Sequence, residues 1–137
     1  MTLLTNSIAI AHEMLDAPGV TVVMPGGVLR RDMASLTGGN GLEPLREFNI
    51  QKGFFGAYGL SVPEGLTDVS LAEAETKRKL VAMCRQVIAV VDSTKWGRFG
   101  LASFAAPEII TCVITDAQAP ADLVEQVRAL GIKVTLV

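Results

Sequence analysis

Two apolar runs set the first limit on the fold. Residues 87–91, "VIAVV", and residues 109–115, "IITCVIT", are too continuous for strands with one wet face, so they read as strands covered on both sides. Elsewhere the apolar period lengthens to three and four, as in Leu71, Ala74, Leu80, Met83, Cys84 and Val87, one stripe of a helix predicted over roughly 71–86. Ser70-Leu71-Ala72-Glu73 has the form of a capping box and would start that helix. Strand–helix–strand alternation with buried runs points to the α/β class, a mostly parallel sheet with helices on both faces.

Shorter segments extend the pattern. "TLLT" (2–5) is a strand candidate, and Asn6 or Ser7 can cap a following helix that buries Ile8, Ala11 and Leu15 before Pro18-Gly19 ends it. "VTVVM" (20–24) is the next strand, closed by Pro25-Gly26-Gly27. "VLRRDMAS" reads as a partly exposed strand, "NGLEPLREF" as a short helix, and "IQKGFFGAYG" (50–59) returns to strand character. Pro120 suits the first turn of a helix reaching about Leu130, Gly131 its C-terminal cap, and "IKVTLV" a final strand. A length of 137 residues fits one domain spanning 1–137, and no repeat or linker divides it.

Bulk chemistry excludes several functions. The formal charge is −2 and no Lys/Arg run resembles a footprint for a phosphate backbone, so nucleic-acid contact by this segment is not expected. No apolar run approaches the ~20 residues that cross a bilayer, and "MTLLTNSIAIAHEML" lacks the basic region and cleavage site of a signal peptide. Cys84 and Cys112 sit in apolar segments and read as buried thiols of a reducing cytosol. His12 is the only histidine, which leaves a zinc site or a histidine-based triad little to build on.

Ligands of open parallel sheets bind beyond the carboxyl ends of the strands. The residues there are Thr5-Asn6-Ser7, Pro25-Gly26-Gly27, Ala57-Tyr58-Gly59, Asp92-Ser93-Thr94-Lys95 and Thr115-Asp116. They are small, hydroxylated or flexible. Helix N-termini after Asn6 and Asp116 add free N–H groups suited to an anion, and Lys95 adds a full positive charge. Asn6 and Ser7 also serve as caps, and Gly26-Gly27 also fits a plain turn. Glu73/Lys77 and Glu75/Lys79 are i,i+4 pairs, a spacing that marks a solvated helix face contributing ~0.2–0.5 kcal/mol per pair. Trp96 and Phe99 read as core or lid packing. The polar cluster 92–95, ending a buried strand, is the strongest sign of a small anionic ligand.

Laid out in order, the segments "LLTNSIAIAHEM", "VVMPGGVLRRDMASLTG", "GFFGAYGLSVPEGLTDVSLAEAETKR", "VVDSTKWGRFGLASFA" and "IITCVITD" resemble the C-terminal effector-sensing domain of the DeoR family of bacterial transcriptional regulators. The matching motifs are the family's VTNS junction, its GG-x-x-R…S-x-x-G segment, its F-x-G-A-D-G-I…G-L-T…E-A-x-x-K-R stretch and its D-x-S-K-F stretch. The resemblance covers nearly the whole chain. It implies the fold of ribose-5-phosphate isomerase and related sugar-phosphate enzymes, with a phosphorylated sugar or similar metabolite as ligand. It implies ligand contacts at Thr5, Asn6, Ser7, Gly26, Gly27, Glu75, Lys77, Asp92, Ser93 and Lys95, without metal or cofactor. DNA would be met only through a helix-turn-helix domain that this chain does not contain, in a cytoplasmic homo-oligomer that touches no membrane.

Three departures accompany the resemblance. The helix-turn-helix is absent, as are the family's first strand and Gly/Thr-rich phosphate loop, so the chain is expected to be an N-terminally truncated effector domain. Tyr58 stands where the family's G-A-D-G motif has an aspartate. A phenol is a poor base near neutral pH, which favours a non-catalytic sensor over the main alternative, an isomerase using Asp92 or Glu75 as base and Lys95 as electrostatic stabiliser. A structural oligomerisation module is the third reading, since loss of a first strand leaves an open edge.

Overall fold

Short parallel strands recur at both ends of the chain. A computed structural model describes residues 1–38 and 40–137, which divide into two compact units, Met1–Phe48 and Asn49–Val137.

In the first unit β1 (Thr2–Leu4) pairs in parallel with β2 (Thr21–Val23), Leu3 opposite Val22. Between them lies α1 (Ile8–Glu13), capped as expected by Ser7, whose hydroxyl accepts the Ile10 N–H at 3.3 Å. The expected apolar stripe is not buried. Helix α1 stops at Glu13, so Leu15 falls in the following 3-10 turn, out of helical phase and 78 % exposed, and Ile8 is exposed as well. Residues 28–35 do not run as one strand either. They fold back through a turn at 31–34, where Ala34 takes a φ of +47°, to make the antiparallel hairpin β3 (Val28–Arg30) and β4 (Ser35–Thr37).

The second unit contains a wholly parallel sheet. Its strands are β5 (Ile50–Phe55), β8 (Cys84–Val90), β10 (Ile110–Thr115) and β11 (Lys133–Leu136), in the spatial order β11-β10-β8-β5. A smaller antiparallel sheet joins β6 (Gly59–Ser61), β7 (Gly65–Asp68) and β9 (Ala102–Ala105). The connections include α2 (Leu71–Ala82) and α3 (Ala121–Ala129), the latter opening at Pro120 and ending before Gly131, whose φ is +83°.

Strand register places Phe55, Ala89, Val113 and Val134 in one row, all buried with Ala74 and Val81 of α2 and Val124 and Val127 of α3. Each Val or Phe in that row stabilises the fold by about 1.5–3 kcal/mol. The rows on either side are different. Phe54 is 63 % exposed and Val90 46 % exposed, so within this unit β8 is buried on one face rather than two. Helix α2 is also shorter than the stripe predicts. It ends at Ala82 because Cys84 pairs with Ile50 and Val87 with Gly53, and strand pairing claims residues whose apolar spacing also fits a helix. The α/β class and the parallel sheet agree with the sequence reading.

Candidate functional site

Because β5, β8 and β10 are parallel, their carboxyl ends lie side by side, and the chain leaves β8 and β10 through polar residues. After β8 and the buried Val91, Asp92 starts a single 3-10 turn, Ser93–Lys95, with its carboxylate accepting the Thr94 N–H at 2.8 Å and the Thr94 hydroxyl. From the end of β10, Asp116 reaches across and accepts the Ser93 N–H at 2.6 Å and the Gln118 N–H at 2.9 Å. Behind the turn Trp96 is buried, its indole N–H donating to the Thr115 hydroxyl at 3.0 Å. The turn is therefore fastened at three points, which fixes where its side chains project.

The electrostatics follow from these bonds. The Thr94 hydroxyl and N–H, aided by Lys95, hold the Asp92 carboxyl below its usual range against the opposing charge of Asp116. The Ser93 and Gln118 N–H groups do the same for Asp116. Both carboxylates are thus anionic at neutral pH. Among the described residues the half-buried Lys95 makes no salt bridge. A rim offering an ammonium group, hydroxyls and two fixed carboxylates can take a ligand that is both anionic and polyhydroxylated.

Lys77, from α2, joins this rim by a different route. Its ammonium donates to the Gly56 carbonyl at 3.0 Å, just past β5, and pairs with Asp68 at 2.7 Å. Asp68 ends β7 and is 2 % exposed; its second oxygen accepts the Val69 N–H at 2.8 Å and the Ser70 N–H at 3.5 Å. The Lys77 ammonium also lies over the Phe104 ring, 5.1 Å from its centroid. Sequence reasoning missed Asp68 because its partner stands nine residues later in another element. The expected solvated face 73/77 is not what forms. Glu73 is buried, and Lys77 turns to Asp68. Glu75 is exposed, two positions from Lys77, and so projects from another side of α2.

The remaining candidates lie in the first unit. The Thr5 hydroxyl accepts the Ser7 N–H at 3.1 Å, Asn6 donates from its side-chain amide to the Leu36 carbonyl at 3.2 Å, and Ser7 caps α1. Gly27 has a φ of +145°, and a Cβ there would lie 2.7 Å from the Thr37 carbonyl oxygen; a Cβ on Gly41 would strike the Gly26 backbone. These five residues therefore have structural work of their own. Among the described residues no cluster of His, Cys, Asp and Glu is arranged to hold a metal ion, and no helix is long and apolar enough to cross a membrane. Cys84 and Cys112 are half-buried free thiols, with burial pushing that of Cys84 up.

The DeoR C terminal sensor domain family matches residues 1–117. The chain belongs to that family. Among curated relatives it is 29 % identical over 136 residues to the HTH-type transcriptional regulator GolR of Listeria innocua, covering 99 % of this chain and 54 % of the relative. It is 33 % identical to the HTH-type transcriptional regulator GlpR of Haloferax volcanii, covering 95 % of this chain and 51 % of the relative. It is 25 % identical to the glycerol-3-phosphate regulon repressor of Escherichia coli K12, covering 91 % and 50 %. The chain spans about half the length of the curated relatives it matches. Those relatives are named as transcriptional regulators, which agrees with the reading of this DeoR-type sensor domain as a non-enzyme. Of the DeoR motif positions, Lys77, Asp92, Ser93 and Lys95 gather at the carboxyl ends of β5 and β8, and Thr5, Asn6, Ser7, Gly26 and Gly27 cluster at the ends of β1 and β2.

Proposed function

We propose that this chain is the effector-sensing part of a DeoR-type transcriptional regulator, and that it binds a phosphorylated sugar or a similar small anionic polyol. The turn Asp92–Lys95 carries the proposal. Asp116 and Trp96 hold it in place, it presents a cation free of any salt bridge among the described residues, and it follows β8, whose neighbour β5 leads to the Gly56 carbonyl that Lys77 binds. Asp92 would accept sugar hydroxyls and Lys95 would meet the anionic group. The name of one relative, a glycerol-3-phosphate regulon repressor, is in keeping with that chemistry. Binding would modulate DNA contact by a separate helix-turn-helix domain, provided that the ligand prefers one conformational or oligomeric state over another. Homo-oligomerisation and a cytoplasmic location belong to the same proposal.

Thermal unfolding against ribose 5-phosphate, glucose 6-phosphate, glycerol 3-phosphate and inorganic phosphate tests it. A ligand at about 100 times its Kd stabilises the native chain by about 2.7 kcal/mol. One sugar phosphate is expected to do so, to be recovered unchanged, and to lose its effect in Lys95→Ala. Stabilisation that persists in Lys95→Ala places the ligand elsewhere, and conversion of the ligand to an isomer would make the chain an enzyme.

A further inference from the structure

The rim described above holds three carboxylates, Asp68, Asp92 and Asp116, against two ammonium groups, Lys77 and Lys95. Lys77 is committed to Asp68, and Lys95 lies in the field of Asp92. That balance suits hydroxyl groups better than a phosphate dianion, so a phosphate needs a further cation. We propose that Arg98 supplies it, as the residue that grips the phosphate of the ligand, with Tyr58 as the platform that orients it. The proposal rests on the sugar-phosphate reading above.

The guanidinium carbon of Arg98 lies 4.4 Å from the centroid of the Tyr58 ring. A guanidinium lying on an aromatic face keeps its in-plane N–H donors available at the edge, where they match two phosphate oxygens. Arg98 is exposed and makes no salt bridge among the described residues.

Its backbone is held in place from three sides. The Gly97 N–H donates to the Leu60 carbonyl at 2.8 Å, the Arg98 N–H to the Lys95 carbonyl at 3.4 Å, and the Gly100 N–H to the Thr67 hydroxyl at 2.8 Å. Glycines permit the fit. A Cβ on Gly59 would lie 2.1 Å from the Arg98 carbonyl oxygen, and one on Gly100 would lie 2.6 Å from the Asp68 carbonyl oxygen and 3.2 Å from the Tyr58 ring. Tyr58 is fixed in turn by its N–H, which donates to the Thr67 carbonyl at 2.9 Å.

Connectivity sets Arg98 on the ligand's rim. It follows the Ser93–Lys95 turn by three residues, its N–H returning to the Lys95 carbonyl past Trp96 and Gly97, and Tyr58 follows by two residues the Gly56 whose carbonyl accepts from Lys77. Tyr58, which departs from the family's aspartate, thus has a role that an aspartate would fill differently: a flat support for a cation.

The test is isothermal titration of the 137-residue chain with ribose 5-phosphate, glucose 6-phosphate and glycerol 3-phosphate, repeated with Arg98→Ala, Arg98→Lys and Tyr58→Ala. Arg98→Ala is expected to weaken the sugar phosphate that binds by tenfold or more, the scale of one or two charge-assisted hydrogen bonds. Arg98→Lys should recover part of that loss, and Tyr58→Ala should show a smaller loss with the charge still present. Circular dichroism confirms that each variant folds. A loss under tenfold in a folded Arg98→Ala overturns the assignment while Lys95→Ala still reports on the site. A wild-type chain that binds none of the three compounds overturns the sugar-phosphate reading and the assignment with it.

Discussion

The Asp68–Lys77 pair is the feature whose removal should cost the second unit most. Its N–O distance is 2.7 Å, and its side chains are 3 % and 18 % exposed. Taking away one partner of a buried pair costs about 3–5 kcal/mol, because the other charge is left without compensation. Lys77→Met keeps an unbranched apolar side chain and strands the Asp68 carboxylate with only the Val69 and Ser70 N–H groups, so about 3 kcal/mol is expected, near the lower limit. Asp68→Asn leaves an acceptor for those N–H groups but sets an amide against the ammonium, at a cost of about 2–3 kcal/mol. The double variant should cost no more than the worse single, a coupling of about 2–3 kcal/mol. Urea unfolding followed by the fluorescence of Trp96, the only tryptophan and buried in the same unit, measures all four states. Additive costs, or a single-variant cost under about 1 kcal/mol, would show that the pair behaves as a screened surface contact and would refute the reasoning.

Three other outcomes follow from the geometry. The folded-state pKa values of Asp92 and Asp116 are lowered, so the stabilisation they give the 92–95 turn is complete above the unfolded carboxylate range of about 4 and is lost as pH falls through the folded values; the Ser93 and Thr94 amide resonances should shift together only at acidic pH, and in Asp116→Asn the Ser93 amide should no longer report that titration. Gly27→Ala forces a Cβ against the Thr37 carbonyl at a φ of +145° and should destabilise the first unit by about 1–3 kcal/mol, read as faster amide exchange in β3 and β4. Ser70→Ala removes the N-cap of α2, whose hydroxyl accepts the Glu73 N–H at 3.4 Å, and should cost about 1 kcal/mol in the same urea assay; no change would mean that the cap is redundant.

Local chemistry carried much of this fold into the sequence. Ser7 and Ser70 announce helix starts because capping depends on residues three apart in the chain, and both caps form. The contact of Asp92 with Thr94 is equally local, two residues apart, though in the sequence that cluster reads as a ligand site and not as a turn. What stayed hidden depends on distant partners. Val90 and Val91 look alike in an apolar run, yet one is half exposed and the other buried, because only one side of β8 meets α2 and α3 within its unit. Cys84 and Val87 fit a helical stripe and were claimed instead by pairing with β5.

The same division explains the candidate site. Motif positions on a single turn, Asp92, Ser93 and Lys95, were legible as a group, whereas Asp68 and Arg98 acquire their meaning from Lys77 and Tyr58 in other elements. The consequence concerns sensing. Lys77 is bonded at once to the end of β5 and to Asp68, whose other oxygen accepts N–H groups at the start of α2. A ligand anion that draws the Lys77 ammonium toward itself must weaken its bond to Asp68 or to Gly56. Either change would alter the link between α2 and the sheet, and under the proposed function it would be a physical route from ligand charge to helix position. Amide exchange at Val69 and Ser70, compared with and without saturating sugar phosphate, reads that link directly: protection that stays constant while Lys77 contacts the ligand would exclude the route.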